Sequence, residues 1–244
     1  MIRASVAMVT YNGGLYVKEQ VDTILAAMGD KDELVISDDG SSDGTWELLR
    51  EYEISDNRVH LVKGPGQGVK QNVDYALRAC LGKYIFLADQ DDIWEPEKIE
   101  KMIKTFEEKK CGVVVHDAVV VEGDGHTVLW ESFYSIKNSG AGVLKNIWRN
   151  TYIGCCMAFR RELLDVVLPI PDTIEMHDQW IGIMNDKKKL GTCFIPDKLI
   201  RYRRHGENAS SMQHYGLKRM LLNRLNFIRE FERRKRAWKQ ASKI

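Results

Sequence analysis

The feature that most constrains this chain is a regular alternation across its first hundred residues. An apolar, β-prone run "ASVAMVT" from Ala4 is followed by "YVKEQVDTILAAM" with helical periodicity, then by "ELVIS" from Glu33 and a helical pattern after Gly44. "VHLVK" from Val59, a helix over Val69 to Cys80 and "YIFLA" from Tyr84 continue the series. Strands that alternate with helices spell βα units, which assemble into a parallel sheet through right-handed crossovers. The strands are almost continuously apolar, as a sheet covered on both faces requires. Past Pro96 the pattern changes. A charged helix to about Lys110 precedes "VVVHDAVVVEGDGHTVLW", where Gly123-Asp124-Gly125 marks a turn between two strands. A helix near Gly142 to Asn150, a strand "YIGCCMAF", a helix near His177-Asp178, and the runs "TCFIP" and "LIRYRRH" follow, so this half reads as mixed.

Open α/β sheets bind ligands in the crevice beyond the carboxyl ends of their strands. Here the four loops at that rim are "TYNGG", "SDDGSSDGT", "GPGQGVKQN" and "DQDD". The last is the most demanding, because Asp89, Asp91 and Asp92 crowd the end of a buried strand and repel one another unless a cation sits among them. A calcium loop counted from Asp89 fails, since Ile93 and Trp94 occupy its fifth and sixth positions. Counted from Asp39 it fails again, with Arg50 in place of the closing Glu. A metal that also touches phosphate oxygens remains, against the alternative of a solvated acidic turn. Asp38 and Asp39 are placed to accept hydrogen bonds from a base or ribose, and Asp43 reads as a helix cap.

In this order and at these separations, "VTYN", "SDDGSSDGT", "GVKQNVDYAL" and "FLADQDDIW" resemble the family 2 glycosyltransferases of the GT-A fold. The likeness is greatest to bacterial rhamnosyl- and glucosyltransferases of surface polysaccharides, over about residues 4 to 206. It implies an α/β catalytic domain over residues 1–206, with a Rossmann-like, mostly parallel sheet and a mixed acceptor-side half, then a basic amphipathic helical segment over 207–244. Thr10, Tyr11 and Asn12 would line the nucleotide pocket, with Asp39 on the base and Asp38 assisting. Lys70 and Asn72 would lie along the donor, and Asp89 and Gln90 near ribose or sugar hydroxyls. Asp91 would hold Mn²⁺ or Mg²⁺, with His205 completing the metal shell or standing as a loop histidine. Asp92 and His177 would meet either metal or acceptor. Asp178, in "EMHDQW", sits where the family places its catalytic base, which must reach an acceptor hydroxyl, although an Asp at a helix start also serves as a cap.

The implied reaction is an inverting, metal-dependent transfer of one hexosyl or deoxyhexosyl unit from a UDP-hexose or dTDP-rhamnose to a saccharide hydroxyl, free or lipid-linked. The Gln/Arg-x-x-Arg-Trp motif of processive members is missing, which favours single transfer. Two competitors stand beside it. A sugar nucleotidyltransferase would carry a basic glycine-rich loop where "TYNGG" stands, and a catalytically idle GT-A scaffold would bind no nucleotide.

A net charge of +1 offers no general attraction to nucleic acid, which is not expected as a partner. Five cysteines without a CxxC pair suggest a reducing, cytoplasmic setting, and no run approaches the roughly 18 apolar residues of a spanning helix. The segment Leu217 to Lys239 carries nine Lys/Arg against two acids. Leu217, Met220, Leu221, Leu225, Ile228 and Phe231 recur at helical steps within it, so it would pack on the core or rest on an anionic membrane at the inner face of the cell.

Overall fold

The computed structural model describes residues 1–206 and 216–241. The expected βα units are all present: β1 (Ala4–Thr10), α1 (Val17–Ala27), β2 (Asp32–Asp38), α2 (Thr45–Ser55), β3 (Val59–Lys63), α3 (Val69–Ala79) and β4 (Tyr84–Ala88). Their strands lie parallel in the order β3-β2-β1-β4. All residues of β1 and β2 are buried, which is why no polar alternation appears in their sequence. Val17, Val21 and Ile24 give α1 one buried face at helical spacing, and Val73, Ala76 and Leu77 do the same for α3.

The second half contains β5 (Ile93–Trp94), α4 (Lys98–Lys109), β6 (Val113–Glu122), β7 (Val128–Trp130), α5 (Phe133–Lys137), α6 (Val143–Trp148), β8 (Met157–Arg160), α7 (Leu164–Val167), α8 (His177–Lys188), β9 (Thr192–Arg204) and α9 (Leu217–Ala241). The sheet continues as β4-β8-β6-β9-β5, with β7 beside β6. β8 runs antiparallel to both β4 and β6, whereas β6 and β9 are parallel, so this half is mixed as expected. Two strands differ from the sequence reading. "YIGCCMAF" is extended only from Met157, because Gly154–Cys156 winds into a 3-10 turn. "TCFIP" and "LIRYRRH" form one strand, β9, whose register against β6 jumps from Ile195 to Lys198. The skipped residues, Pro196 and Asp197, make a bulge where a missing proline N–H costs no ladder hydrogen bond.

α9 packs on this body through only part of the face its sequence suggested, keeping Phe231 and adding Phe227. Leu221, Leu225 and Ile228 are 47%, 65% and 43% exposed, whereas Phe227 and Phe231 are buried in the core. The Leu217 side chain and residues 207–215 and 242–244 lie outside the described residues. The Phe227 ring packs edge-on to Trp180 at 5.6 Å, and Arg234 donates to the carbonyls of Val166, Leu168 and Pro169. Aromatic rings bury more apolar area than leucine, so they win the inner face. Phe227→Ala should therefore cost about 3–5 kcal/mol in denaturant unfolding, while Leu225→Ala changes stability by about 0.5 kcal/mol or less. Equal effects would contradict this packing.

Candidate active site

The carboxyl ends of the parallel strands open into a cleft of about 1090 Å³. Thr10, Tyr11, Asp39, Asn72, Asp89, Gln90 and Asp91 face it from one side, and His177 and Asp178 from the other. Gln90 grips the backbone of Tyr11 on both sides, accepting from its N–H at 2.8 Å and donating to its carbonyl at 3.1 Å. The Tyr11 ring is left 59% exposed as a surface on which a base can stack. Asp39 accepts from the N–H groups of Gly66 and Gly68, both at 2.7 Å. Those glycines have φ of 66° and 87°, a region closed to most side chains, so the third loop can bend toward the carboxylate. Asn72 is buried, donates to the Ser37 carbonyl at 2.8 Å and ties α3 to β2.

Three expected donor contacts do not line the cleft. Asn12 accepts from the Ser42 N–H at 2.9 Å and donates its own N–H to Ser41 Oγ at 2.8 Å. Asp38 is buried and accepts from Thr10 Oγ1, Ser41 Oγ and the N–H groups of Gly40 and Ser41. Both brace the first loop against the second, and a carboxylate with four internal donors has no need of a ligand. Lys70 donates to the carbonyls of Asp172 and Ile174, which joins α3 to the segment before α8 and turns the ammonium away from the donor side.

Among the acids, Asp91 Oδ2 lies 2.7 Å from His205 Nε2, and the His205 ring stacks on Tyr16 at 4.6 Å. Burial, helped by the charges of Asp91 and Asp178, pushes the Asp89 carboxyl up to about 7. Burial pushes Asp92 well above the usual carboxylate range, with Asp91 and Asp89 adding to the effect. Asp92, expected on either metal or acceptor, is fully buried and off the cleft, and accepts a hydrogen bond from the Arg203 N–H at 3.2 Å.

Two cations missed in the sequence hold this acidic turn. Arg203 is buried and donates to the Asp91 carbonyl at 2.8 Å, to the Gly123 carbonyl and to Glu19. Lys98, also fully buried, donates to the Cys155 carbonyl at 2.8 Å and sits 3.6 Å over the Trp94 ring. Burial lowers its pKa to about 8 against the opposing pull of neighbours that include Asp92 and Asp89. In a helix as charged as α4, nothing in the sequence separates Lys98 from its solvated neighbours.

The residues fit a divalent cation at the cleft edge. Asp91 and His205 converge a carboxylate oxygen and an imidazole nitrogen, a donor pair suited to Mn²⁺. Asp89, Asp92 and Cys155 also bring ligand atoms within 4.8 Å of one another. That group is the poorer site, because the Cys155 thiol is buried beside Cys156, held well above its ordinary pKa, and soft where Mg²⁺ and Mn²⁺ prefer oxygen.

Across the cleft, Asp178 is the second residue of α8, whose cap is Met176, so it does not serve as the cap. Its carboxylate accepts from Asn150 Nδ2 at 3.0 Å and from the Gln179 N–H at 2.6 Å. Burial pushes it up to about 6, while those donors, the Gly154 N–H and the Lys137 charge act in the opposite direction. His177 is pushed down to about 4, first by burial and then by Lys70, so at neutral pH it is an uncharged imidazole. α9 completes the wall with Met220, Asn223, Arg224 and Phe227, a contribution that its basic composition disguised.

A family model described as Glycosyl transferase family 2 matches residues 5–168. The chain belongs to that family. The relative TuaG of Bacillus subtilis, a glycosyltransferase named for teichuronic acid biosynthesis, is 28% identical over 212 residues, covering 85% of this chain and 81% of TuaG. S. aureus TarS, solved with UDP-GlcNAc, superposes with a TM-score of 0.69 at 19% identity, over 93% of this chain and 66% of that one. The mannosyltransferase PcManGT from Pyrobaculum calidifontis, solved with GDP-Man and Mn²⁺, gives 0.63 at 22% identity, over 84% and 58%. These two likenesses show a shared fold, the GT-A α/β sheet. This glycosyltransferase thus carries the carboxylates Asp39, Asp89, Asp91 and Asp178 around one cleft.

Proposed function

We propose that this glycosyltransferase moves one sugar, with inversion, from a nucleoside diphosphate sugar to a saccharide hydroxyl in the synthesis of a cell-surface polysaccharide. The observation that carries the reading is Asp178, a buried carboxylate at the cleft wall opposite Asp39 and Asp91, with its pKa raised to about 6. Tyr11 and Asp39 receive the base, and Asp89 and Gln90 the ribose or sugar hydroxyls. A divalent cation held by Asp91 and His205 would neutralise charge on the leaving diphosphate. Asp178 takes the proton of the acceptor hydroxyl as that oxygen attacks the anomeric carbon, and Asn150 holds the carboxylate in place. A single in-line displacement inverts the anomeric centre. TuaG's name supports the polysaccharide setting.

The outer face of α9 supports peripheral attachment to an anionic membrane. Leu221, Leu222, Leu225 and Ile228 are exposed there beside Lys218, Arg219 and Arg229. No helix among the described residues is long and apolar enough to cross a membrane. Leu225→Glu/Ile228→Glu should abolish salt-sensitive sedimentation with phosphatidylserine vesicles while leaving the melting temperature unchanged. Undiminished sedimentation would refute the attachment.

The donor site is tested by thermal unfolding with UDP, GDP and dTDP plus Mn²⁺. A cognate nucleotide at about 100 times its Kd should stabilise the fold by about 2.7 kcal/mol. No shift with any of them would favour the idle scaffold instead.

A further inference from the structure

The acceptor side of the cleft carries more positive charge than the chemistry above uses. Lys137 at the end of α5, Arg149 just past α6 and Arg204 at the end of β9 all line it. The charges of Arg149, Arg204 and Asp178 all act on Lys137, and Lys137 in turn acts on Asp178. Lys137 is half-buried, with its ammonium 5.9 Å from the centre of the Phe133 ring. Among the described residues neither Lys137 nor Arg149 has a carboxylate in ion-pair distance, although Lys and Arg pair with acids at many places on this surface. Glu175, the acid at the same wall, is engaged by Asn223 of α9 at 2.9 Å. Arg224 adds a fourth cation at the mouth, fixed on the Trp148 carbonyl at 3.0 Å and over its ring at 4.6 Å. Arg149 is exposed, but Lys137 is an ammonium drawn half out of water with no carboxylate in ion-pair distance among the described residues, and such a group is retained where a ligand supplies the anion. The donor's diphosphate would have its own partner in the divalent cation proposed at Asp91 and His205.

We infer that Lys137, Arg149 and Arg204 form a subsite for an anionic group on the acceptor, a carboxylate or a phosphate ester, next to the hydroxyl that Asp178 deprotonates. The inference rests on the proposed function and names the substrate class of the same cleft. An acceptor whose negative group docks on these cations is oriented before the proton moves, and a neutral saccharide supplies no anion to Lys137 or Arg149.

The test is an NMR titration of the full chain, with Mn²⁺ and the bound nucleoside diphosphate present, using two matched probe pairs. These are methyl glucuronide against methyl glucoside, and glycerol 3-phosphate against glycerol. At least one anionic probe should bind about tenfold or more tightly than its neutral counterpart, a difference of about 1.4 kcal/mol. Lys137→Met/Arg149→Met should erase that ratio and leave nucleotide affinity unchanged, and Lys137→Arg/Arg149→Lys should restore it. Equal binding of charged and neutral probes overturns the inference. So does a loss of nucleotide affinity in the double Met variant with the ratio intact, which would assign these cations to the donor. If no nucleotide binds at all, the proposed function falls and this inference with it. Nucleotide binding without a charge preference removes the inference alone.

Discussion

Asp178→Asn is expected to lower sugar transfer by at least about 10²-fold, the scale of general base catalysis, while nucleotide affinity stays near wild type. The amide keeps the size of the carboxylate and its place opposite the donor half, but it cannot accept a proton. The same residue sets the acid limb of the pH profile. With its pKa near 6, Asp178 is ionised at neutral pH, and transfer should fall about tenfold per pH unit below that value. The stability linkage has the opposite sign from a salt-bridged carboxylate. A pKa raised above the unfolded value of 3.8 means that the folded chain holds the proton more tightly. The group's stabilising contribution is therefore complete in acid and is lost as pH rises through about 6. At pH 7, Asp178→Asn should thus leave the melting temperature unchanged or raise it. Near wild-type transfer by this variant would remove Asp178 from the base role.

Asp91→Ala is expected to abolish transfer, with a loss of about 10³-fold or more, because charge on the leaving diphosphate would go unmatched by several kcal/mol. Wild-type protein in EDTA should behave the same way and recover with Mn²⁺, whereas the variant should not recover. His205→Ala should weaken Mn²⁺ binding in a titration that reads metal affinity directly, since it removes one atom of the 2.7 Å pair. Full transfer in EDTA would contradict the metal assignment.

The parallel half of the fold was legible because periodicity reports burial, and β1 and β2 are buried on both faces. The four loops were legible because their cleft-lining residues are polar at strand ends, where a folded sheet must place them on one rim. Asn12, Asp38 and Lys70 looked alike to their neighbours Tyr11, Asp39 and Asn72, yet they spend their polar atoms on loop-to-loop bonds that depend on tertiary placement. Lys98 was hidden for a related reason: helical periodicity assigns a charged residue to solvent, and only the packed structure reveals the carboxylates that make its burial tolerable. In α9 the stripe read from spacing joined Phe231 to the leucines and left out Phe227, and spacing alone does not say which of these residues face the core. Asn150, which holds Asp178, sits in a loop without any motif.

The central claim is that one cleft binds a nucleoside diphosphate sugar and activates an acceptor through Asp178. It is tested most directly by following nucleoside diphosphate release from a panel of UDP-, GDP- and dTDP-sugars, with Mn²⁺, for wild type and Asp178→Asn side by side, in the presence and absence of saccharide acceptors. The account predicts release from one donor class, accelerated by acceptor and lost in the variant. Release that is indifferent to Asp178, or formation of nucleoside triphosphate when pyrophosphate is supplied, would contradict it.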